Sequence, residues 1–193
     1  MLINTLQFLI RTVADLFVLV LLLRFYLQVV RMPFTHPLAQ FVMAATNFAV
    51  LPLRRLLPSV RGYDTATMFI AWLVGLVSIS AVLLLGPMPF NFAAPQTWLG
   101  LALLSVLTLF TQSVYLLMGA VLVQAIMSWV NPYNPLAPML SALTRPFLQP
   151  FSWARIGGAD LSPLLLLLVL QVILMLPIRF LEQTFLQQLQ LAF

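Results

Sequence analysis

Residues 65–144 form a run of 80 positions without a single charged side chain. A membrane-spanning helix needs about 20 predominantly apolar residues, so this run has room for two spans and a connection between them. The connection is predicted at residues 86–97, where Gly86 precedes two prolines that a helix does not easily continue through. The run therefore predicts an integral membrane protein.

The composition of the whole chain supports the same prediction. Of its 193 residues, 63% are hydrophobic and 7% are charged, and the mean hydropathy is +1.08. An average soluble domain is about a quarter charged, so this chain lacks the polar side chains to cover a soluble globule. Intrinsic disorder is excluded by the same hydrophobicity. The expected fold class is an all-α membrane protein.

Four transmembrane helices are predicted in total. They cover residues 6–30, 67–85, 98–130 and 164–181. No basic residue precedes the first apolar run and no small-x-small cleavage pattern follows it, so we expect that segment to be retained.

The orientation follows from the nine basic residues, all of which are Arg. Segments 31–66 and 131–163 carry six of them, whereas the connection at 86–97 carries none. Because basic residues are enriched in cytoplasmic loops, both segments are expected on the cytoplasmic side of a bacterial inner membrane. Both termini are then outside.

The two Arg-bearing segments resemble each other. At an offset of 98, His36 matches Asn134, Pro37 matches Pro135, Thr46 matches Thr144, and Pro52 matches Pro150. With two residues skipped, Asp64 matches Asp160, each after a Gly and before a span. The sequence therefore predicts two parallel helix–Pro/Arg segment–helix repeats, at residues 1–85 and 98–193. Parallel repeats occur in transporters.

Each cytoplasmic segment contains an apolar stretch that is too short to span a membrane, at residues 37–58 and 135–151. Pro37 and Pro135 suit the first turn of a short helix, and Pro52, Pro146 and Pro150 are expected to break it again. One alternative is an interfacial helix among the lipid headgroups. The other is a re-entrant segment buried between spans. The Arg residues favour the interfacial alternative, because burying them deeper would be costly.

Five Arg residues are candidates for binding anionic lipid headgroups or a protein partner. They are Arg54, Arg55, Arg61, Arg145 and Arg155. Arg stays charged at any physiological pH and pairs well with phosphate. Nucleic acid is not expected as a partner, because these residues lie among apolar segments instead of forming a basic stripe on a soluble face. A homo-oligomer is a further expectation left open.

Asp64 and Asp160 each open a predicted span. One interpretation is a carboxylate stabilised at a helix N-terminus. The other pairs each Asp with a neighbouring Arg, such as Arg61 or Arg155, in an ion or proton relay. Arg24, inside the first span, is expected to extend toward the inner interface. The remaining candidates for a structural or relay role are Thr46, Thr144, Asn131 and Asn134.

Catalytic chemistry is not expected. The chain has no Cys, one His and four dispersed acidic residues, which excludes thiolate chemistry and leaves no motif of a metal site or a hydrolase. We therefore predict a non-enzymatic protein without a cofactor, a metal or catalytic residues.

Several motifs resemble the two halves of the YggT family. They are Arg24-Phe25-Tyr26-Leu27-Gln28, Gly62-Tyr63-Asp64, Asn131-Pro132-Tyr133-Asn134-Pro135 and Gly158-Ala159-Asp160-Leu161-Ser162-Pro163. The first copy departs from the pattern of the second, with His36 in place of Asn134 and Phe48 in place of Pro146. The resemblance implies a small inner-membrane protein with several spans. It also implies an association with tolerance of osmotic stress in bacteria and with cytochrome assembly in plastids, but no reaction.

Two functions are compatible with these observations. The first is a membrane scaffold, assembly or stress-tolerance factor whose cytoplasmic segments bind anionic lipid and a protein partner. The alternative is a subunit of a small oligomeric ion transporter or channel used in osmotic adaptation. Ion flux in proteoliposomes separates the two, since only the second predicts it.

Overall fold

The computed structural model describes residues 1–31, 36–60, 62–86, 94–131, 134–156 and 159–191. Two of the predicted site residues are affected, since Arg61 and the side chain of Arg155 lie outside the described part. Most of the predicted connection at 86–97 lies outside it as well.

Within the described residues, α-helices dominate. They are α1 (Leu2–Val29), α2 (Pro37–Arg54), α3 (Thr65–Leu84), α4 (Pro95–Val130), α5 (Ala137–Leu148), α6 (Ser162–Ile173) and α7 (Arg179–Leu191). A 3-10 turn (Gln149–Phe151) follows α5, and two-residue strands, β1 (Arg155–Ile156) and β2 (Ala159–Asp160), pair antiparallel before α6. A π-helical turn (Leu174–Ile178) joins α6 to α7. It contains Pro177, which lacks the N–H that a regular α-helical turn needs.

Four helical stretches are long and apolar enough to cross a membrane. They are Leu2–Val29, Thr65–Leu84, Pro95–Ser128 and Ser162–Leu189. The predicted all-α membrane fold with four spans is therefore confirmed. The last helix continues ten residues past the predicted end of its span, to Leu191. Packing explains this continuation, because Leu189 is buried against Leu101 and Leu104 of α4.

Antiparallel packing of α1 on α3 holds the first repeat together. Near one end of the pair, Gln7 Nε2 donates a hydrogen bond to the Val82 carbonyl at 3.0 Å. At the opposite end, Gln28 Nε2 donates to the Gly62 carbonyl at 3.3 Å. The end of α1 therefore lies beside the start of α3. The helix α2 and its connections join these two ends.

A close approach of α3 and α4 connects the two repeats. Ser105 Oγ donates to the Trp72 carbonyl at 2.7 Å, and Trp72 Nε1 donates to the Ala102 carbonyl at 3.3 Å. The approach requires a small residue at Gly75, where a Cβ would lie 3.0 Å from Ser105 Oγ. Such contacts through small and polar residues stabilise helix pairs in membranes.

The short helices α2 and α5 pack against the ends of α1 and α4. Apolar residues from all four helices form one buried cluster: Leu27, Ala39, Val42, Ala120, Met139 and Leu140. The prediction that Pro52 and Pro146 break the two short helices was wrong, because each helix continues two residues past its proline. A proline this close to a helix end removes its own donor but leaves little helix to disrupt.

Candidate functional site

Asp64 is the N-cap residue of α3 and its side chain is 1% exposed. Its Oδ1 accepts a hydrogen bond from the Thr67 backbone N–H at 3.3 Å, and its Oδ2 accepts one from Thr67 Oγ1 at 2.7 Å. These contacts satisfy a free N–H of the first helical turn and place a negative charge at the positive end of the helix. They account for only part of the surroundings of this carboxylate.

Two guanidinium groups also face Asp64. Arg54, the last residue of α2, lies with Nη2 at 2.5 Å from Oδ2 and with Nε at 3.4 Å from Oδ1. Arg24 of α1 lies with Nε at 3.9 Å from Oδ2. The relay interpretation named Arg61 beside Asp64 and Arg155 beside Asp160, and neither of these side chains lies within the described residues. The described ionic partners of Asp64 are Arg24 and Arg54. They are residues that α1 and α2 bring together.

Arg24 is buried in the protein, with 7% of its side chain exposed. Nη1 donates to Thr46 Oγ1 at 2.6 Å and to Asn47 Oδ1 at 2.9 Å, both on α2. Thr46 Oγ1 in turn donates to the Val42 carbonyl at 2.6 Å. The expected extension of Arg24 toward an interface is therefore replaced by contacts inside the helix bundle. We call these six residues the Asp64 network: Arg24, Thr46, Asn47, Arg54, Asp64 and Thr67.

The network contains more positive than negative charges. Burial on its own would raise the pKa of Asp64, but the hydrogen bonds from Arg54 and Thr67 outweigh it and hold that pKa below its ordinary value. Asp64 is therefore ionised at neutral pH, and with two guanidinium groups beside it the network carries a net charge of +1. A carboxylate held in its charged form is poorly suited to take up and release protons. The geometry thus favours a structural role over a proton relay.

A cavity of about 140 Å³ lies beside the network, between α1 and α2. Its polar lining comes from Arg24, Gln28 and Arg54, and the other lining side chains are apolar. Since one water occupies about 30 Å³ in the liquid, the cavity is large enough for a small polyatomic group.

The second repeat builds a neutral version of the same arrangement. The Thr144 hydroxyl is hydrogen-bonded to the Gln124 carboxamide on α4 and to the Leu140 carbonyl. Thr46 makes the equivalent contacts with Arg24 and with the carbonyl four residues before it. The predicted equivalence of Thr46 and Thr144 thus has a common geometry, but the long helix supplies an amide in place of a guanidinium.

Asp160 differs from Asp64 in its surroundings. It is exposed, lies in β2, and accepts a hydrogen bond at Oδ1 from the Ser162 backbone N–H at 2.9 Å. Ser152 occupies the position that aligns with Arg54 at an offset of 98, so the second copy has no equivalent of this Arg. The two Asp residues therefore match in sequence but differ in burial, and the Arg that pairs with Asp64 is not repeated at the aligned position.

His36 and Asn134 perform the same local task. His36 Nδ1 accepts a hydrogen bond from the Leu38 N–H at 3.2 Å, and Asn134 Oδ1 accepts one from the Leu136 N–H at 2.8 Å. A side-chain acceptor two residues before a donor is typical of helix starts and tight turns. The departure of the first copy from the Asn pattern therefore preserves the contact.

The remaining predicted site residues lie on the surface. Arg55 and Arg145 are exposed, at the ends of α2 and α5, and Asn131 is the exposed residue that ends α4. Among the three candidate lipid-binding Arg residues whose side chains the structure describes, Arg54 is therefore the one with internal contacts.

Sequence reasoning missed Asn47 and Thr67 as members of the site. Thr67 carried a usable signal, because a polar residue three positions after an N-cap Asp commonly meets its carboxylate. Asn47 carried none, since its contact with Arg24 joins residues more than 20 positions apart in sequence.

Comparisons with known proteins agree with these observations. The family model described as CCB3/YggT matches residues 3–85 and 103–181, one match for each repeat. The chain is 35% identical to the uncharacterized protein YggT of Escherichia coli K12 over 173 residues, covering 88% of this chain and 87% of the relative. It is 36% identical to an uncharacterized protein of Vibrio alginolyticus over 87% of this chain and 90% of that relative. No solved structure matches. The chain therefore belongs to the CCB3/YggT family.

Proposed function

We propose that this protein is a non-enzymatic scaffold or assembly factor of the bacterial inner membrane. Its two Pro/Arg segments face the cytoplasm and bind anionic lipid headgroups and a protein partner. The observation that carries the proposal is the Asp64 network, which fixes α2 to α1 and α3 through a half-buried ion pair and the hydrogen bonds of the buried Arg24. A segment held in this way presents a constant surface, as a docking role requires.

The outer face of α2 has the chemistry of a membrane-surface contact. Leu51 is exposed on it, and Arg55 and Leu56 follow directly at its end. We call these three residues the first Pro/Arg surface. Apolar side chains beside a cation suit the boundary between headgroups and acyl chains, where the guanidinium meets lipid phosphate.

A similar surface follows in the second repeat. Arg145 and Phe147 of α5 are exposed, and Trp153 beyond the 3-10 turn is 76% exposed. Trp is enriched where proteins meet the headgroup layer. We call these three residues the second Pro/Arg surface, and we infer that both surfaces lie at the same membrane face.

The physiological setting that we propose is tolerance of osmotic stress. The support for it is the family resemblance described above. In that setting, a scaffold organises other membrane proteins without moving solute itself.

A small oligomeric ion transporter is the second candidate function. The internal repeat favours it, because parallel repeats occur in transporters. Against it, the carboxylate of Asp64 is held ionised by Arg54. Ion flux in proteoliposomes reconstituted with the purified chain would favour this candidate over the scaffold.

The scaffold proposal is tested by cross-linking in cells followed by purification in mild detergent. The native chain is compared with an Arg55→Ala/Arg145→Ala variant, which removes one exposed cation from each Pro/Arg surface and leaves the Asp64 network intact. Arg179→Ala is the matched control, since Arg179 is exposed at the start of α7 on the opposite side of the predicted span. We expect a defined partner that is lost from the double variant and retained by the control. A partner captured equally by all three chains would contradict the proposal.

A further inference from the structure

We propose that the cavity between α1 and α2 binds a single phosphate-type anion through Arg24 and Arg54. The inference rests on the proposed function insofar as a lipid headgroup is one source of that anion. Free phosphate is the other source with the same chemistry. Charge, free hydrogen-bond donors and the shape of the cavity all favour such an anion.

The part of the site that faces the cavity is positively charged. Arg24 and Arg54 line it, whereas no carboxylate does so among the described lining residues. The single carboxylate nearby, Asp64, is already engaged by Arg54 and by both donors of Thr67. A buried cation without a full counter-charge is unfavourable, so an entering anion would be stabilised.

Hydrogen-bond donors remain on both guanidinium groups. Among the described residues, the hydrogen bonds of Arg24 all come from Nη1, and its Nε is 3.9 Å from Asp64 Oδ2, too far for a hydrogen bond. Arg54 uses Nε and Nη2 on Asp64. Nε and Nη2 of Arg24 and Nη1 of Arg54 therefore donate to no described partner, and both residues line the cavity. Planar guanidinium donors match the oxygens of a phosphate.

The rest of the cavity restricts what can enter. Its volume of about 140 Å³ fits one small oxyanion with water, and Leu27, Val42 and Met43 give it apolar walls. A lipid phosphate, which joins a charged group to an apolar body, suits such a lining. A larger polyanion does not.

The second repeat offers an internal comparison. Its corresponding cavity is lined by Gln124, Asn134 and neutral neighbours, with no charged side chain among the described lining residues. The inference therefore specifies one anion per chain, held in the first repeat.

The test uses the full chain, purified in mild detergent and transferred to bilayer nanodiscs. In one arm the nanodiscs contain phosphatidylcholine with phosphatidylglycerol, and native mass spectrometry counts the lipids retained. In the other arm they contain phosphatidylcholine alone, and inorganic phosphate is titrated calorimetrically. Retention of one phosphatidylglycerol per chain identifies a lipid headgroup as the ligand, and saturable 1:1 binding of inorganic phosphate identifies the free anion.

Three variants make the result specific. Arg24→Gln removes one guanidinium, and Ala39→Leu fills the cavity while keeping both guanidinium groups, because Ala39 is buried and lines it. Arg179→Gln removes the same charge from an exposed position. We expect at least a tenfold loss of occupancy in the first two variants and none in the third. The Ala39→Leu result stands even if Arg24→Gln is poorly folded.

Two results would overturn the inference. One is a native chain that binds neither probe with 1:1 stoichiometry, and the other is an Ala39→Leu chain that binds as tightly as the native one. A chain that holds no anion but still loses its cross-linked partner in the Arg55→Ala/Arg145→Ala variant would refute this inference alone. The scaffold proposal fails on separate results. It fails when the native chain captures no partner, or when the Arg55→Ala/Arg145→Ala variant still captures it.

Discussion

Replacing Asp64 by Asn removes the charge of the network while keeping its shape. Asn is as good an N-cap residue as Asp, so the contact with the Thr67 N–H can persist. What is lost is the counter-charge of Arg54 and of the buried Arg24, whose side chains are 41% and 7% exposed. Breaking a buried ion pair by removing one partner costs roughly 3–5 kcal/mol. The exposure of Arg54 places the expected loss at the lower end, about 3 kcal/mol.

The loss is measurable as a change in melting temperature. For a chain of 150–250 residues, 1 kcal/mol corresponds to about 2–4 °C, so Asp64→Asn should lower Tm by about 6–12 °C in mild detergent. Glu182→Gln is the matched control. Glu182 is exposed in the first turn of α7, and its substitution should change stability by no more than about 0.5 kcal/mol. Equal melting temperatures for Asp64→Asn and the native chain would refute the assignment of a stabilising role to this ion pair.

Two of the remaining predictions rest on the same geometry, and the third rests on the distribution of Arg residues along the chain. Because the folded pKa of Asp64 is lowered, its stabilising contribution should be fully present above the unfolded value of about 3.9 and be lost as the pH falls through the folded value. The Tm difference between the native chain and Asp64→Asn should therefore disappear in acid, and a difference that persists there would contradict the pKa assignment. Thr46→Val should lower the free energy of unfolding by about 1.5–3 kcal/mol, because Thr46 accepts a hydrogen bond from a charged donor. Thr144→Val should lower it by about 1 kcal/mol, because its partner is a neutral amide. Thermal melts that rank the two variants in the opposite order would contradict the difference between the repeats. A protease-cleavable tag at the C terminus should be cut by external protease in spheroplasts, and a protected tag would reverse the proposed orientation.

The fold could be predicted from sequence because one physical constraint dominates it. Apolar runs of about 20 residues have few alternatives to crossing a membrane as helices, and the structure confirms the four of them. The helix ends were less predictable. The extension to Leu191 depends on Leu189 packing against α4, a contact between residues almost 90 positions apart in sequence.

The site could be predicted only in its parts. The pattern around Asp64 identified a residue at a helix start, as the structure shows, but it did not identify Arg54 and Arg24 as ionic partners. Arg54 meets Asp64 because α2 ends beside the start of α3, and Arg24 joins them because α1 packs on both. Such pairings depend on how the helices pack against one another, which the local sequence does not specify. The sequence repeat also concealed a difference, since equivalent Thr residues contact an Arg in one copy and a Gln in the other.

The most direct test of the scaffold account is site-specific photo-cross-linking in cells, with the reactive group placed at Leu56 of the first Pro/Arg surface. Leu56 is 76% exposed and follows Arg55, whereas Val77, the control position, is 57% exposed in the middle of α3. The account predicts a discrete adduct with another protein from Leu56 and no such adduct from Val77. The same adducts from both positions, or adducts from Leu56 with only lipid or a second copy of this chain, would contradict it.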